Sequence, residues 1–120
     1  MTTKRTIKNR RKKLIEALRS GKYKKITGKL IKYNCNGDPV GYCVLGVATD
    51  IYNKSVPKID KTELSESDGD IDICVNEYYG GLYSDRIITD NDCKKLSFNK
   101  IADKMEKHPE NYFEGVDNEI

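Results

Sequence analysis

Three features of the chain predict an α+β fold, a small antiparallel sheet packed with about three helices. Apolar residues recur at helical spacing near both ends, and a cluster of turn formers separates two short β-type segments. An apolar run after the second segment then switches at once to helical period. With 120 residues there is room for one hydrophobic core, so residues 1–120 are expected to form a single domain.

After a basic N-terminal arm, residues 1–5, the stripe Ile7, Leu14, Ile15 and Leu18 predicts a helix over 6–20, stopped by Ser20-Gly21. Its polar face carries Arg10, Arg11, Lys12, Lys13 and Arg19. A β-hairpin is predicted near 29–43, with strands over 29–33 and 40–43 around Asn36-Gly37-Asp38-Pro39. Val44, Val47, Ala48 and Ile51 then fall on one helical stripe, predicting a buried helix over 43–53 as the principal core element. Residues 54–70 are polar and read as a surface loop. Ile71, Ile73 and Val75 alternate with polar neighbours, which leaves this stretch open to one more strand or a short helix, after which 77–83 turns the chain. Ser97 is placed to cap a last helix over 97–107, whose apolar positions Phe98, Ile101, Ala102 and Met105 share a face before Pro109 ends it. Residues 114–120 form an acidic tail.

Composition narrows the function classes. Hydrophobic residues make up 37% of the chain and charged ones 34%, polar for a globular domain but patterned enough to build a core. The longest apolar run, residues 44–48, is far short of the roughly 20 residues of a membrane-spanning helix, so no membrane partner is expected. No apolar stretch with a small-residue cleavage site follows the basic start, so no secretory signal is expected and the cytoplasm is the expected compartment. There Cys35, Cys43, Cys74 and Cys93 should be free thiols, with Cys43 and Cys74, in apolar runs, acting as small core residues.

No Cys-x-x-Cys pair occurs and His108 is the only histidine, so no metal site is expected. Asp68, Asp70 and Asp72 alternate like cation ligands, but the sixth-position glycine and twelfth-position carboxylate of a calcium loop are missing. A nucleophile needs a positioned base, and His108 stands beside Pro109 at a helix end. Nucleophile-elbow, phosphate-loop and zinc-hydrolase motifs are also missing from the sequence, so neither catalysis nor a cofactor is expected.

Charge is segregated. Through Tyr33 there are thirteen Lys and Arg against the single Glu16, whereas the rest of the chain has nine against eighteen Asp and Glu. Such asymmetry points to a phosphate-bearing or otherwise anionic partner, or to attraction between the two parts of the fold.

Three ordered blocks carry a resemblance. Residues 17–23, ALRSGKY, and 42–50, YCVLGVATD, precede Asn91-Asp92 with 96–103, LSFNKIAD. Together they resemble a family of small uncharacterised proteins encoded by bacteriophages and prophages. The chain departs from that family in having Val44 where a second cysteine is common. The resemblance implies a phage setting, with host cytoplasm as the location, and no established activity.

Two binding readings follow. In the first, a phage protein sequesters a nucleotide-derived anionic small molecule in counter-defence. Arg19, Lys22 and Lys25 would grip phosphate, Arg19 in bidentate fashion; Tyr23 and Tyr79 would stack on a base, and Asn91 or Asp92 would read its polar edge. A chain this small has little room for a deep pocket, so a homo-oligomer with a shared site belongs to this reading. In the second, the basic first helix lies against nucleic-acid phosphates. Direct inhibition of a host protein is a third alternative.

Overall fold

The structure, a computed structural model, describes residues 3–64 and 71–115. It has the predicted class, an antiparallel two-stranded sheet with helices around one core. Helix α1 spans Lys4–Arg19 and starts where the Thr3 hydroxyl accepts a hydrogen bond from the Thr6 amide. Lys4 and Arg5, expected in a loose arm, therefore belong to the helix. Ser20 closes it as predicted, its hydroxyl donating to the Ala17 carbonyl at 2.7 Å, and Gly21 turns the chain at φ +79°.

Strands β1 (Ile31–Tyr33) and β2 (Pro39–Tyr42) pair with Ile31 opposite Tyr42. The Asn34 side-chain carbonyl accepts from the amides of Asn36 and Asp38, and Gly37 takes φ +84°, which makes the turn-former cluster a hairpin. Residues 24–26 lie along the other side of β2, where the Tyr42 amide donates to Lys24 and the Ile26 amide to the Tyr42 carbonyl.

Helix α2 (Val44–Ser55) is the central element, with Val44 to Thr49 all buried and Tyr52 nearly so. Cys43 is its N-cap, the sulfur accepting from the Gly46 amide at 3.4 Å. Gly46 lets the first turn press on the backbone before β1, since a Cβ there would stand 1.8 Å from the Leu30 carbonyl oxygen. A 3₁₀ turn, Lys58–Asp60, interrupts the predicted surface loop, of which residues 65–70 lie outside the described residues.

Of the strand or short helix open to 71–75, the chain takes the helix, α3 (Ile73–Tyr78). Asp72 caps it by accepting from the Cys74 amide, and Val75 and Tyr79, four residues apart, are the pair that enters the core. The alternation of Ile71, Ile73 and Val75 is thus incidental, and Ile73 remains 69% exposed. Cys74 is exposed as well, against its expected core role, whereas Cys43 is buried.

Helix α4 (Ser84–Ile88) runs on into a π-helical turn, Thr89–Cys93, which the sequence did not announce. Helix α5 (Phe98–Lys107) has the expected Ser97 cap and buries Phe98, Ile101, Ala102 and Met105 against α1. His108 ends it as an exposed C-cap. Beyond it Tyr112 and Phe113 are buried, and the Glu114 amide donates to the Gly81 carbonyl, so the expected tail begins pinned to the fold; residues 116–120 lie outside the described residues.

Candidate functional site

Of the thirteen cations through Tyr33, eight lie on α1, and those singled out there differ in the partners they find. Arg10 and Arg11 flank the apolar stripe of Ile7, Leu14 and Leu18, so packing carries them inward. Arg10 lies over the Tyr78 ring, 4.0 Å from its centroid, and donates to the Tyr78 carbonyl. Arg11 donates to three carbonyls, Tyr79 at 2.7 Å, Gly80 at 3.3 Å and Glu114 at 2.8 Å. Burial lowers the Arg11 pKa, opposed by the nearby Glu114. These two residues, read from sequence as part of the polar face of the first helix, bind carbonyls of the chain itself.

Arg19 is committed as well. Its guanidinium donates to Asp103 at 2.7 Å and to Glu106 at 2.9 Å on α5. The Glu106 and Asp103 hydrogen bonds raise the Arg19 pKa, and Arg19 in turn lowers that of Glu106. The guanidinium expected to grip phosphate is therefore paired on the surface with two carboxylates of α5.

The outer arc is different. Arg5, Lys8 and Lys12 fall within about 60° of one another around the axis, at 100° per residue, and Lys13 lies about 80° further round from Arg5. All four are exposed, and no side-chain ion pair to them is found among the described residues. Directly after the helix, Lys22 and Lys24 are exposed and Lys25 half-buried, again without a side-chain ion pair among the described residues.

Tyr23 sits among these lysines as an organised, half-buried group. Its hydroxyl donates to Asp50 Oδ2 at 2.6 Å, and Lys54 Nζ reaches the same oxygen at 3.0 Å from one turn further along α2. Lys54 also lies 5.8 Å from the Tyr23 ring centroid, and Tyr42 meets that ring edge-on at 4.9 Å. Burial, and then the bond to Asp50, pushes the Tyr23 hydroxyl up to about 12. The cluster joins two of the sequence blocks, 17–23 and 42–50. Sequence reading singled out Tyr23 but missed Tyr42, Asp50 and Lys54 as its partners, although Asp50 and Lys54 at i and i+4 were a legible ion-pair signal.

The remaining candidates are internal. Tyr79 is fully buried, with its hydroxyl donating to the Ala48 carbonyl at 2.7 Å, so it has no face for a base to stack on. Asn91 is 1% exposed, and its amide group donates to the Ile26 carbonyl at 2.9 Å and to Asp92 at 2.6 Å. Asn91 thus supports the lysine loop from beneath. With Asp92, Cys43, Val44 and Leu45 it lines a cavity of about 10 Å³ at the start of α2. That is room for about one water molecule, not for a base.

Next to Asn91, Asp90 is fully buried and accepts a hydrogen bond from the Tyr112 hydroxyl. Lys94 Nζ stands 3.7 Å from the other Asp90 oxygen, within ion-pair range but too far for a hydrogen bond. Among the described residues no cluster of three or more His, Cys, Asp or Glu could hold a metal ion, and no helix is long and apolar enough to cross a membrane.

Of the seven proposed ligand residues, Lys22, Tyr23 and Lys25 share one loop, joined to α2 by the Tyr23–Asp50 bond and to Asn91 through Ile26, while Arg19 and Tyr79 are engaged elsewhere. The sequence profile of a family described as Domain of unknown function (DUF8296) matches residues 4–80, which cover α1, the hairpin, α2, α3 and the Tyr23–Asp50–Lys54 cluster. No curated protein and no solved structure matches the chain.

Proposed function

We propose that this chain, which belongs to the DUF8296 family, is a non-catalytic binder of phosphate-bearing polyanions, with nucleic acid as the partner class. The observation that carries the reading is the division of labour among the cations. Arg10, Arg11 and Arg19 are engaged by partners within the chain, while Arg5, Lys8, Lys12 and Lys13 are exposed on α1 and the exposed Lys22 and Lys24 follow it in sequence. A row of hydrated cations on a rigid helix suits a chain of phosphates, each contact releasing condensed counterions. The half-buried Tyr23 and Tyr42 rings add aromatic surface beside the lysines, which favours a single strand with accessible bases. The resemblance of the three sequence blocks to phage and prophage proteins supports a phage setting for this activity.

A nucleotide-derived small molecule, sequestered in counter-defence, is the second reading, and the contiguity of Lys22, Tyr23 and Lys25 favours it. The small cavity at the start of α2 is not lined by these residues, so the reading rests on a site shared between copies in a homo-oligomer. Fluorescence anisotropy with a labelled single strand and a labelled duplex across a salt series, alongside calorimetry with cyclic and linear nucleotides, separates the two. Polyanion binding should weaken steeply with salt. Salt-tolerant binding of a mononucleotide, with no oligonucleotide binding, would select the second reading; binding of neither would leave direct inhibition of a host protein.

A further inference from the structure

The face built by α3 and α4 has the opposite character from α1. Between them lies a shallow groove of about 360 Å³, with a floor of Ile71, Ile73, Leu82 and Ile88. This volume is at the lower end of the roughly 300–1,000 Å³ of binding pockets. Its polar positions are Asn76, Ser84 and Asp85, and no lysine or arginine lines it among the described residues. Asp72 and Glu77 are exposed on the same helix as Ile73, with Glu77 four residues on and so on the same side. Arg86, the nearest cation in sequence, is turned toward the Tyr112 ring at 5.7 Å. Ile73 is 69% exposed and Tyr83, just before α4, is 43% exposed.

We infer that this groove is a protein-docking site for a basic amphipathic helix of a partner protein, one that presents two aliphatic side chains a turn apart, flanked by Lys or Arg. Among the described residues Ile73 stays exposed, and α3 is too short to turn it inward while Asp72 caps its first turn and Val75 fills the core. Burying aliphatic anchors in such a groove supplies affinity, as in other helix-in-groove recognition. The carboxylates of Asp72, Glu77 and Asp85 select the flanking charge and reject acidic helices. The same carboxylates would repel a phosphate backbone, so the surface is separate from the polyanion face and does not depend on that reading.

The test uses three synthetic helical peptides and the full chain. One peptide alternates Leu anchors with Lys, one has the same anchors with Glu, and one keeps Lys but replaces Leu by Ser. Anisotropy titrations should show the Lys/Leu peptide binding, with affinity lowered about tenfold by Ile73→Ser and again by Asp85→Lys. Both residues are exposed, so both variants should retain the wild-type circular dichroism spectrum. The Glu/Leu and Lys/Ser peptides should bind at least tenfold more weakly. Equal binding of Lys/Leu and Lys/Ser, no binding of Lys/Leu, or indifference to both substitutions would overturn the proposal. So would a concentration-dependent dimer in sedimentation that Ile73→Ser abolishes, because the occupant would then be a second copy of the chain.

Discussion

Gly46 is where a single atom decides the most. Adding a Cβ would place it 1.8 Å from the Leu30 carbonyl oxygen, and backbone cannot yield as a flexible side chain can. Gly46→Ala should therefore destabilise the fold by about 1–3 kcal/mol or more despite the higher helix propensity of alanine, seen as a lowered urea midpoint. A second residue-scale consequence concerns the tyrosines. Burial, then the hydrogen bond to Asp50, raises the Tyr23 hydroxyl to about 12; burial, then the bond to Asp90, does the same for Tyr112. Burial also raises Tyr79. A group whose folded pKa is raised contributes stability that is complete below its unfolded value, about 10 for tyrosine, and is lost as the pH rises toward the folded value. Thermal stability should accordingly fall between about pH 10 and pH 12. Ultraviolet titration should show these three phenols ionising later than free tyrosine, Tyr23 and Tyr112 at about pH 12. Ionisation of all eight tyrosines near pH 10 in folded protein would contradict the packing.

Among the elements, α1 is held by more than its apolar stripe. Arg11 ties it to the end of α3 and to the C-terminal segment through three carbonyls from distant parts of the chain. Arg11→Ala leaves those acceptors without a charged donor and should cost about 2–3 kcal/mol, read from denaturant unfolding. Arg11→Lys should recover only part, because an ammonium cannot reproduce the guanidinium fork. A loss under about 0.5 kcal/mol would make the contact incidental. The elements legible in the sequence were those with period and cap in agreement. In α5, Ser97 and the spacing of Phe98, Ile101, Ala102 and Met105 pointed the same way, and the hairpin had Asn34 and Gly37 to shape its turn. At α3 the two signals conflicted, with strand-like alternation at 71–75 against an Asp72 cap, and the cap with the Val75–Tyr79 pair prevailed. The π-helical turn after α4 left no trace because its geometry depends on docking Asp90 and Asn91 into the core.

For the whole molecule, the segregation of charge was plain in the sequence, but its division into internal and outward cations was not. Arg10 and Arg11 stood at helical spacing from Ile7 and Leu14 and could have been assigned inward; Arg19 could not, since its partners Asp103 and Glu106 lie more than eighty residues away. Tyr79 and Asn91 were misplaced for the same reason, their burial being set by α2 and by the loop at Ile26. What remains is an exposed arc of Arg5, Lys8, Lys12 and Lys13 on α1, and between α3 and α4 an apolar groove with Asp85 in its lining. The central claim is that this arc, rather than net charge, binds phosphate chains. The direct measurement compares a triple variant, Arg5→Glu, Lys8→Glu and Lys12→Glu, with one carrying the same charge change elsewhere, at the exposed Lys58, Lys61 and Lys100. With a labelled single strand, the wild type should lose affinity with a slope of about −3 in log K against log salt if four cations contact phosphate. The control should keep most of that slope and the α1 variant should lose binding. Equal loss in both variants, or binding by the α1 variant as tight as wild type, would contradict the account.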